Sequence, residues 1–365
     1  MNPFLSICIP TFNRGPIVYD TVCNILKSDR QDIEVVVSNN CSTDDTEELL
    51  KRIKDKRFRY FKNTYNNGAD NLISVLTYAQ GEYLLLLSDE DDVVLRNLES
   101  YIIDLHKLKP AVMFGTSAVN RYRYAYKGNL YMDDCYEALK VLDFEQTYMS
   151  GYIYNRKIMK RVLGNLYGTE INRKLGYGYN FLNLARRMVQ YGGFLAKEEV
   201  ITSQRAKGKR DMQTHFDGGN CTYSPEYRVG VFCDAVNDLA QIDLSLKEKY
   251  LLLEMYKDQI VINASIQDYM YTYNGKSEYE SKRDREYEIA KYYQLNKQNV
   301  QGIKFYCRLF SNVRKCNNYL SQVNVFKCRY NLVKLRYLKQ TFLITKSRYE
   351  KILRFTIKKA ILEME

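Results

Sequence analysis

Glu82-Tyr83-Leu84-Leu85-Leu86-Leu87-Ser88-Asp89-Glu90-Asp91-Asp92 joins a run of four leucines to a run of four acids. Consecutive leucines bounded by polar residues are the pattern of a strand buried on both faces, as in the middle of a parallel sheet. Carboxylates that follow such a strand at once stand at the carboxyl edge of the sheet, where ligands bind in open α/β sheets. Packed this closely they repel one another unless a cation or a donor-rich ligand sits among them. The same acids also suit the first turn of a helix, because Val93 to Leu108 has helical character and anions are favoured at a helix N-terminus. The flanking chain bears on the choice.

Upstream, apolar runs alternate with helical patterns. Phe4 to Ile9 reads as a first strand, running into Pro10-Thr11-Phe12-Asn13-Arg14-Gly15 as a turn. Pro16 suits the first turn of a helix whose apolar face is Val18, Val22, Ile25 and Leu26. Ile33 to Val37 is a second strand, ending in Ser38-Asn39-Asn40-Cys41-Ser42-Thr43-Asp44, and Asp44 with Glu47 resembles a capping box. A poorer strand at Phe58 to Phe61, a loop to Gly68 and a helix over about Ala69 to Ala79 lead back to the leucines. This alternation predicts an α/β fold with a mostly parallel, Rossmann-like sheet. Three polar strand ends, Thr11–Arg14, Asn39–Asp44 and Asp89–Asp92, then meet on one edge. Neither G-x-G-x-x-G after the first strand nor G-x-x-x-x-G-K-[ST] occurs, which disfavours the dinucleotide and P-loop sites.

Downstream, Ala111 to Phe114 reads as a strand, 120–150 as Tyr-rich and irregular, and Ser150 to Tyr154 as a return strand leading into a helix from Arg156. A helix over Asn180 to Tyr191 stops at Gly192-Gly193, and Val200 to Gln204 is a last short strand. Arg205 to Ser224 reads as a mobile loop. Helical spacing follows over Tyr227–Ile242, Leu246–Tyr273 and Ser277–Leu295. The expected division is therefore 1–225 (a nucleotide half, 1–115, and an acceptor half, 116–225) and a helical extension, 226–365.

Composition narrows the chemistry. Nine cysteines without a C-x-x-C pair fit reduced thiols in a cytosol rather than a disulfide framework. With only two histidines, His106 and His215, a metal must rely on carboxylates, whose oxygens suit Mn²⁺ or Mg²⁺. No apolar run reaches the roughly 18–20 residues of a membrane span, and the N-terminus carries no secretion signal, so a cytoplasmic location is expected.

Four blocks in order, Ser6-Ile7-Cys8-Ile9-Pro10-Thr11-Phe12-Asn13-Arg14, then Val37 to Thr46, then Asn66-Asn67-Gly68 with Gly81-Glu82-Tyr83, then Asp89-Glu90-Asp91-Asp92, resemble family 2 glycosyltransferases of the GT-A fold. The likeness is greatest to bacterial surface-polysaccharide members, including the abequosyltransferase-like group, and covers about 4–115 well and 149–225 loosely. It implies a nucleotide-sugar donor, a growing surface glycan (polysaccharide, O-antigen or capsule type) or lipid-linked glycan as acceptor, and a divalent cation, Mn²⁺ or Mg²⁺, held by the DxD motif, with the anomeric carbon inverted. By resemblance Asp91 coordinates the metal, Asp89 holds the ribose or a metal-bound water, and Asp92 supports or caps. Pro10, Thr11, Asn13, Asn39, Asn40, Ser42, Asp44 and Gly68 belong to the nucleotide-sugar segment. Arg14 meets a phosphate or is a solvated surface residue.

Two positions depart from the family pattern. Asn39 stands where the family usually has an Asp that accepts from uracil or thymine; an amide accepts or donates, which leaves the nucleotide open. Inverting members often carry a Glu-Asp pair near the start of the late helix, its Asp the general base. Here Gly176-Tyr177-Gly178-Tyr179-Asn180 has no carboxylate. Glu170, His215 and Asp217 remain as base candidates, with Glu170 equally readable as a plain surface acid. The missing pair keeps alive a catalytically degenerate nucleotide-sugar-binding protein, and fold kinship keeps a nucleotidyltransferase as a further alternative.

The formal charge of +12 is unevenly placed. Residues 291–365 hold 17 Lys and Arg against 3 acids, a net +14, so the other 290 carry 12 − 14 = −2. In this tail Leu335, Leu338, Phe342, Leu353 and Phe355 interleave with Lys334, Arg336, Lys339, Lys351 and Arg354, as in basic amphipathic helices. An anionic membrane surface, reached peripherally from the inner face of the plasma membrane, is the first reading. The solvated face of a helical subdomain is the second; nucleic acid is not expected.

Overall fold

The computed structural model describes residues 3–119, 122–124, 128–142, 148–164, 175, 179–205 and scattered positions between 235 and 256. Contacts divide the chain into two compact units, residues 1–210 with 237–249, and residues 211–236 with 250–365. All the elements below belong to the first unit. In the second, Ala235, Leu252 and Tyr256 are buried. The loop after Arg205, most of the expected helices beyond Tyr227 and the basic tail lie outside the described residues.

Alternation appears as expected through the first hundred residues: β1 (Leu5–Thr11), α1 (Gly15–Leu26), β2 (Ile33–Asn39), α2 (Thr46–Lys51), β3 (Phe58–Lys62), α3 (Asn71–Tyr78) and β4 (Tyr83–Leu86). Then come β5 (Asp91–Val93), α4 (Leu98–Leu108), β6 (Val112–Val119), β7 (Tyr122–Tyr124), β8 (Leu130–Met132), α5 (Cys135–Val141), β9 (Tyr152–Asn155), α6 (Arg156–Leu163), α7 (Asn180–Met188) and β10 (Phe194–Gln204). One sheet takes the order β3-β2-β1-β4-β9-β6-β10-β5, with β7 on β6 and β8 on β10. β1 to β4 are mutually parallel. β9 runs antiparallel between β4 and β6, which makes the sheet mixed.

Leu84 to Leu87 are fully buried because β4 is an inner strand with helices on both faces. Leu5, Ile7, Ile9, Val35, Val37, Leu85 and Leu87 share one face and pack with Val18, Val22 and Ile25 of α1 and Tyr101, Ile102 and Leu105 of α4. Cys8, Val36, Leu84 and Leu86 alternate with them, so the pleat turns them to the other face, and α3 lies against β1, β2 and β4.

Three expectations need correction. The helix after the acids starts at Leu98, not Val93: Asp91 to Val93 form β5, antiparallel to β10. The chain turns back after Ser88, whose carbonyl accepts the Asp91 N–H, so the acids are not a helix's first turn and Asp92 caps no helix. Residues 120–150 are not merely irregular, since β7, β8 and α5 fall there. The last strand begins at Phe194 rather than Val200, because β6 and β8 flank its first half.

Candidate functional site

The ends of β1, β2 and β4 share an edge, with Thr11 beside Asn39 in register. The four acids after β4 are sorted by their partners. Asp89, nearly buried, accepts from the Thr11 hydroxyl at 2.8 Å and from the Arg14 guanidinium at 2.9 Å. Burial pushes its carboxyl up, and Arg14 and Thr11 oppose that. Arg14 is thus an ion-pair partner, with Glu90 also at 3.7 Å. Asp92 takes Arg205, at 3.0 Å from Nε and 2.6 Å from a terminal nitrogen, and that guanidinium also donates to the Thr21 hydroxyl. Asp91 is fully buried and, among the described residues, accepts from neutral groups, the Tyr148 hydroxyl at 2.7 and 2.9 Å and the Ser150 hydroxyl at 2.5 Å. Burial pushes its carboxyl up to about 6; the two hydroxyls hold it down, and Glu90 and Asp89 push it further up.

The β1–α1 and β2–α2 turns are laced together. Asn13 N donates to the Ser42 hydroxyl, and Thr43 N donates to the Asn13 side-chain oxygen. Asp44 accepts from Gly15 N and Thr46 N. Burial would raise its carboxyl, but the bonds from Thr46 and Gly15 together hold it below its ordinary value. The capping box does not form, because Asp44 serves these donors while Glu47 pairs with Lys51 and Lys62. Gly15 is needed for the approach: a Cβ there would lie 2.8 Å from Thr46 N.

An asparagine network stands behind these turns. Asn39 is fully buried, its amide nitrogen donating to Tyr60 at 2.9 Å and its oxygen accepting Ser42 N at 2.8 Å. Asn40 donates to Asn66 and to the Gly68 carbonyl, and accepts from Asn63 and Asn67 N. Asn63 and Ser38 both donate to Asn71. Gly68 takes a left-handed φ of 58°, and Pro10, next to the end of β1, is half-buried. The crowding of Asn63, Asn66, Asn67 and Asn71 in nine residues was the available signal for this network.

α7 opens on Asn180, whose amide donates to the Ala69 carbonyl at 3.0 Å. Glu170, His215 and Asp217 lie outside the described residues. Sequence reasoning passed over the carboxylate next to Ala69. Asp70 is 4% exposed, and its Oδ1 has no hydrogen-bond partner among the described residues. Burial pushes its carboxyl up to about 6.

Among the described residues no group of three or more His, Cys, Asp or Glu forms a ready metal cage. The donors nevertheless fit a hard divalent ion at one position. Asp89 and Asp92 are paired directly with arginines, whereas Asp91 makes no ion pair among the described residues, Arg205 acting on it only from a distance, and it is desolvated.

Residues 6–163 match the pattern described as "Glycosyl transferase family 2". Over 96 residues the chain is 34% identical to the GalNAc(5)-diNAcBac-PP-undecaprenol beta-1,3-glucosyltransferase of Campylobacter jejuni, covering 25% of this chain and 31% of that one. It is 26% identical over 285 residues to glycosyltransferase GlyG of Streptococcus pneumoniae, covering 71% of this chain and 90% of that one. The chain spans 31–39% of the length of the first three curated relatives it matches. The crystal structure of S. aureus TarS 1-349 in complex with UDP superposes with a TM-score of 0.54 at 14% identity, over 99% of this chain and 92% of that one, and so has the same GT-A fold.

Proposed function

We propose, from the match of residues 6–163 to glycosyl transferase family 2, that the chain moves a sugar from a nucleotide-sugar donor to a growing surface-glycan acceptor, with inversion and with Mn²⁺ or Mg²⁺. The observation that carries this reading is Asp91, whose side-chain hydrogen-bond partners among the described residues are both neutral hydroxyls. Asp91 would hold the ion, with Asp89 beside it. A bound divalent ion supplies charge neutralisation to the departing diphosphate.

The chain's own residues do the rest. The tied turns at Asn13, Ser42 and Asp44 present backbone groups to the nucleoside in a fixed arrangement, so little ordering cost remains on binding. Asn39 has one lone pair and one N–H left after Ser42 and Tyr60, an arrangement compatible with uracil or cytosine edges alike. Arg14 and Arg205 hold Asp89 and Asp92 in place through charge-assisted hydrogen bonds. The Campylobacter relative, named for a PP-undecaprenol-linked glycan, favours a lipid-linked glycan acceptor here. The division at about residue 225, with a basic extension at an anionic membrane surface, is part of the same reading.

Calorimetry with UDP, GDP, CDP and dTDP, with and without Mn²⁺, tests it, followed by turnover of the matching sugar donors. Mn²⁺ should strengthen binding of one nucleotide, Asp91→Asn should remove that gain and abolish turnover, and Asp92→Asn should be milder. Nucleotide binding with no turnover of any donor would favour the binding-protein alternative. Equal metal-dependent affinity and turnover in Asp91→Asn and the native chain would sink the Asp91 assignment.

A further inference from the structure

β3 runs parallel to β1, β2 and β4, so the helix that follows it, α3, starts at the carboxyl edge. Asp70 immediately precedes that helix, where an Asp ordinarily caps by accepting a backbone N–H. It makes no side-chain cap bond. Its Oδ1 is buried without a partner among the described residues, although nearly all buried polar atoms in proteins are paired. Exceptions of this kind call for a reason outside the resting fold. Burial alone raises the carboxyl to about 6. At neutral pH it is then ionised and a far better proton acceptor than an exposed Asp.

Its surroundings say what it faces. The turn that carries it is pinned on one side to the end of β2, through Asn40 to the Gly68 carbonyl and to Asn67 N. On the other side it is pinned to the start of α7, through Asn180 to the Ala69 carbonyl. The turn that carries Asp70 therefore bridges the end of β2 and the first residue of α7, an amide that takes no proton.

We propose that Asp70 is the general base of the transfer, with Asn180 as a positioning residue that holds its turn; this rests on the glycosyl-transfer reading above. The acceptor oxygen forms a bond to the anomeric carbon. The bond from that carbon to the diphosphate oxygen breaks, and its electron pair leaves on the nucleoside diphosphate. The acceptor's hydroxyl proton passes to Asp70. The base thus stands on the turn that abuts α7, not on α7 itself.

The experiment compares the native full chain, Asp70→Asn and Asp70→Glu in turnover of the sugar donor selected by the nucleotide panel. Affinity for that nucleoside diphosphate and the unfolding midpoint are measured alongside. For Asp70→Asn the expected kcat loss is about 10²–10⁴-fold, with nucleotide affinity kept and the midpoint at neutral pH kept or raised. Asp70→Glu should recover part of the rate. Turnover of Asp70→Asn within about tenfold of native, below the usual worth of a general base, overturns the assignment alone. Loss of activity together with nucleotide affinity and midpoint makes Asp70 structural and also overturns it. A native chain that binds the nucleotide but turns over no donor overturns the transfer reading, and this proposal with it.

Discussion

At the residue scale, the site keeps charges where a stable fold would not. Asp91 has a folded pKa of about 6 against an ordinary 3.8. The native state therefore holds its proton more tightly than the unfolded state. Below about pH 4 both states are protonated and Asp91 makes no difference. As pH rises from 4 through 6 stability is lost, by about 3 kcal/mol at most for a shift of roughly two units. Asp91→Asn removes that loss. Urea unfolding should show the variant more stable than the native chain at pH 7.5 by about 1–3 kcal/mol, with the difference closing at pH 4. A variant no more stable at pH 7.5 than at pH 4, relative to native, would refute the burial account. Gain of stability with loss of activity is the usual exchange at such sites. The acids themselves were legible in the sequence, but their sorting was not. Which of four neighbouring carboxylates gets an arginine depends on Arg14 and Arg205, 75 and 113 positions from their partners. Asp70 was missed for the same reason, because desolvation is a property of the fold.

At the element scale, β4 is where sequence and structure agree most closely. Leu85 is fully buried in the cluster formed with α1 and α4. Truncating it leaves a cavity between strand and helices, so Leu85→Ala should cost about 2–5 kcal/mol. A lowered urea midpoint with unchanged slope would record it; a cost under about 1 kcal/mol would mean that the helices collapse onto the gap. β1 to β4 were readable because each is an apolar run followed by a helical pattern. β5 and β8 were not, since Asp91-Asp92-Val93 and Leu130-Tyr131-Met132 are too short to show a period, and both exist because β10 offers them an edge. The same acids that looked like a helix start are strand residues because of that distant partner.

At the scale of the whole molecule, charge and fold are separated along the chain. The net +14 of residues 291–365 lies outside the described residues, while the remainder is almost neutral. Among the described residues no helix is long and apolar enough to cross a membrane. Full-length protein should co-sediment with vesicles rich in phosphatidylserine at low salt and less so at high salt, because the attraction is screened over about 8 Å at physiological ionic strength. The chain ended at residue 290 should stay in the supernatant. Full-length protein that ignores the vesicles at low salt would remove the membrane reading.

The antiparallel seat of β9 has a consequence for how the protein is made. β4 is finished at residue 86, but the strand that covers its outer edge begins only at residue 152. At ribosomal speeds of about 5–20 residues per second, the edge of this leucine-rich strand stays open for roughly 3 to 13 s on every nascent chain. Unpaired apolar edges recruit other strands. During that interval the chain's correct partner does not yet exist, and protection must come from chaperones or from the slow arrival of its own next sixty residues.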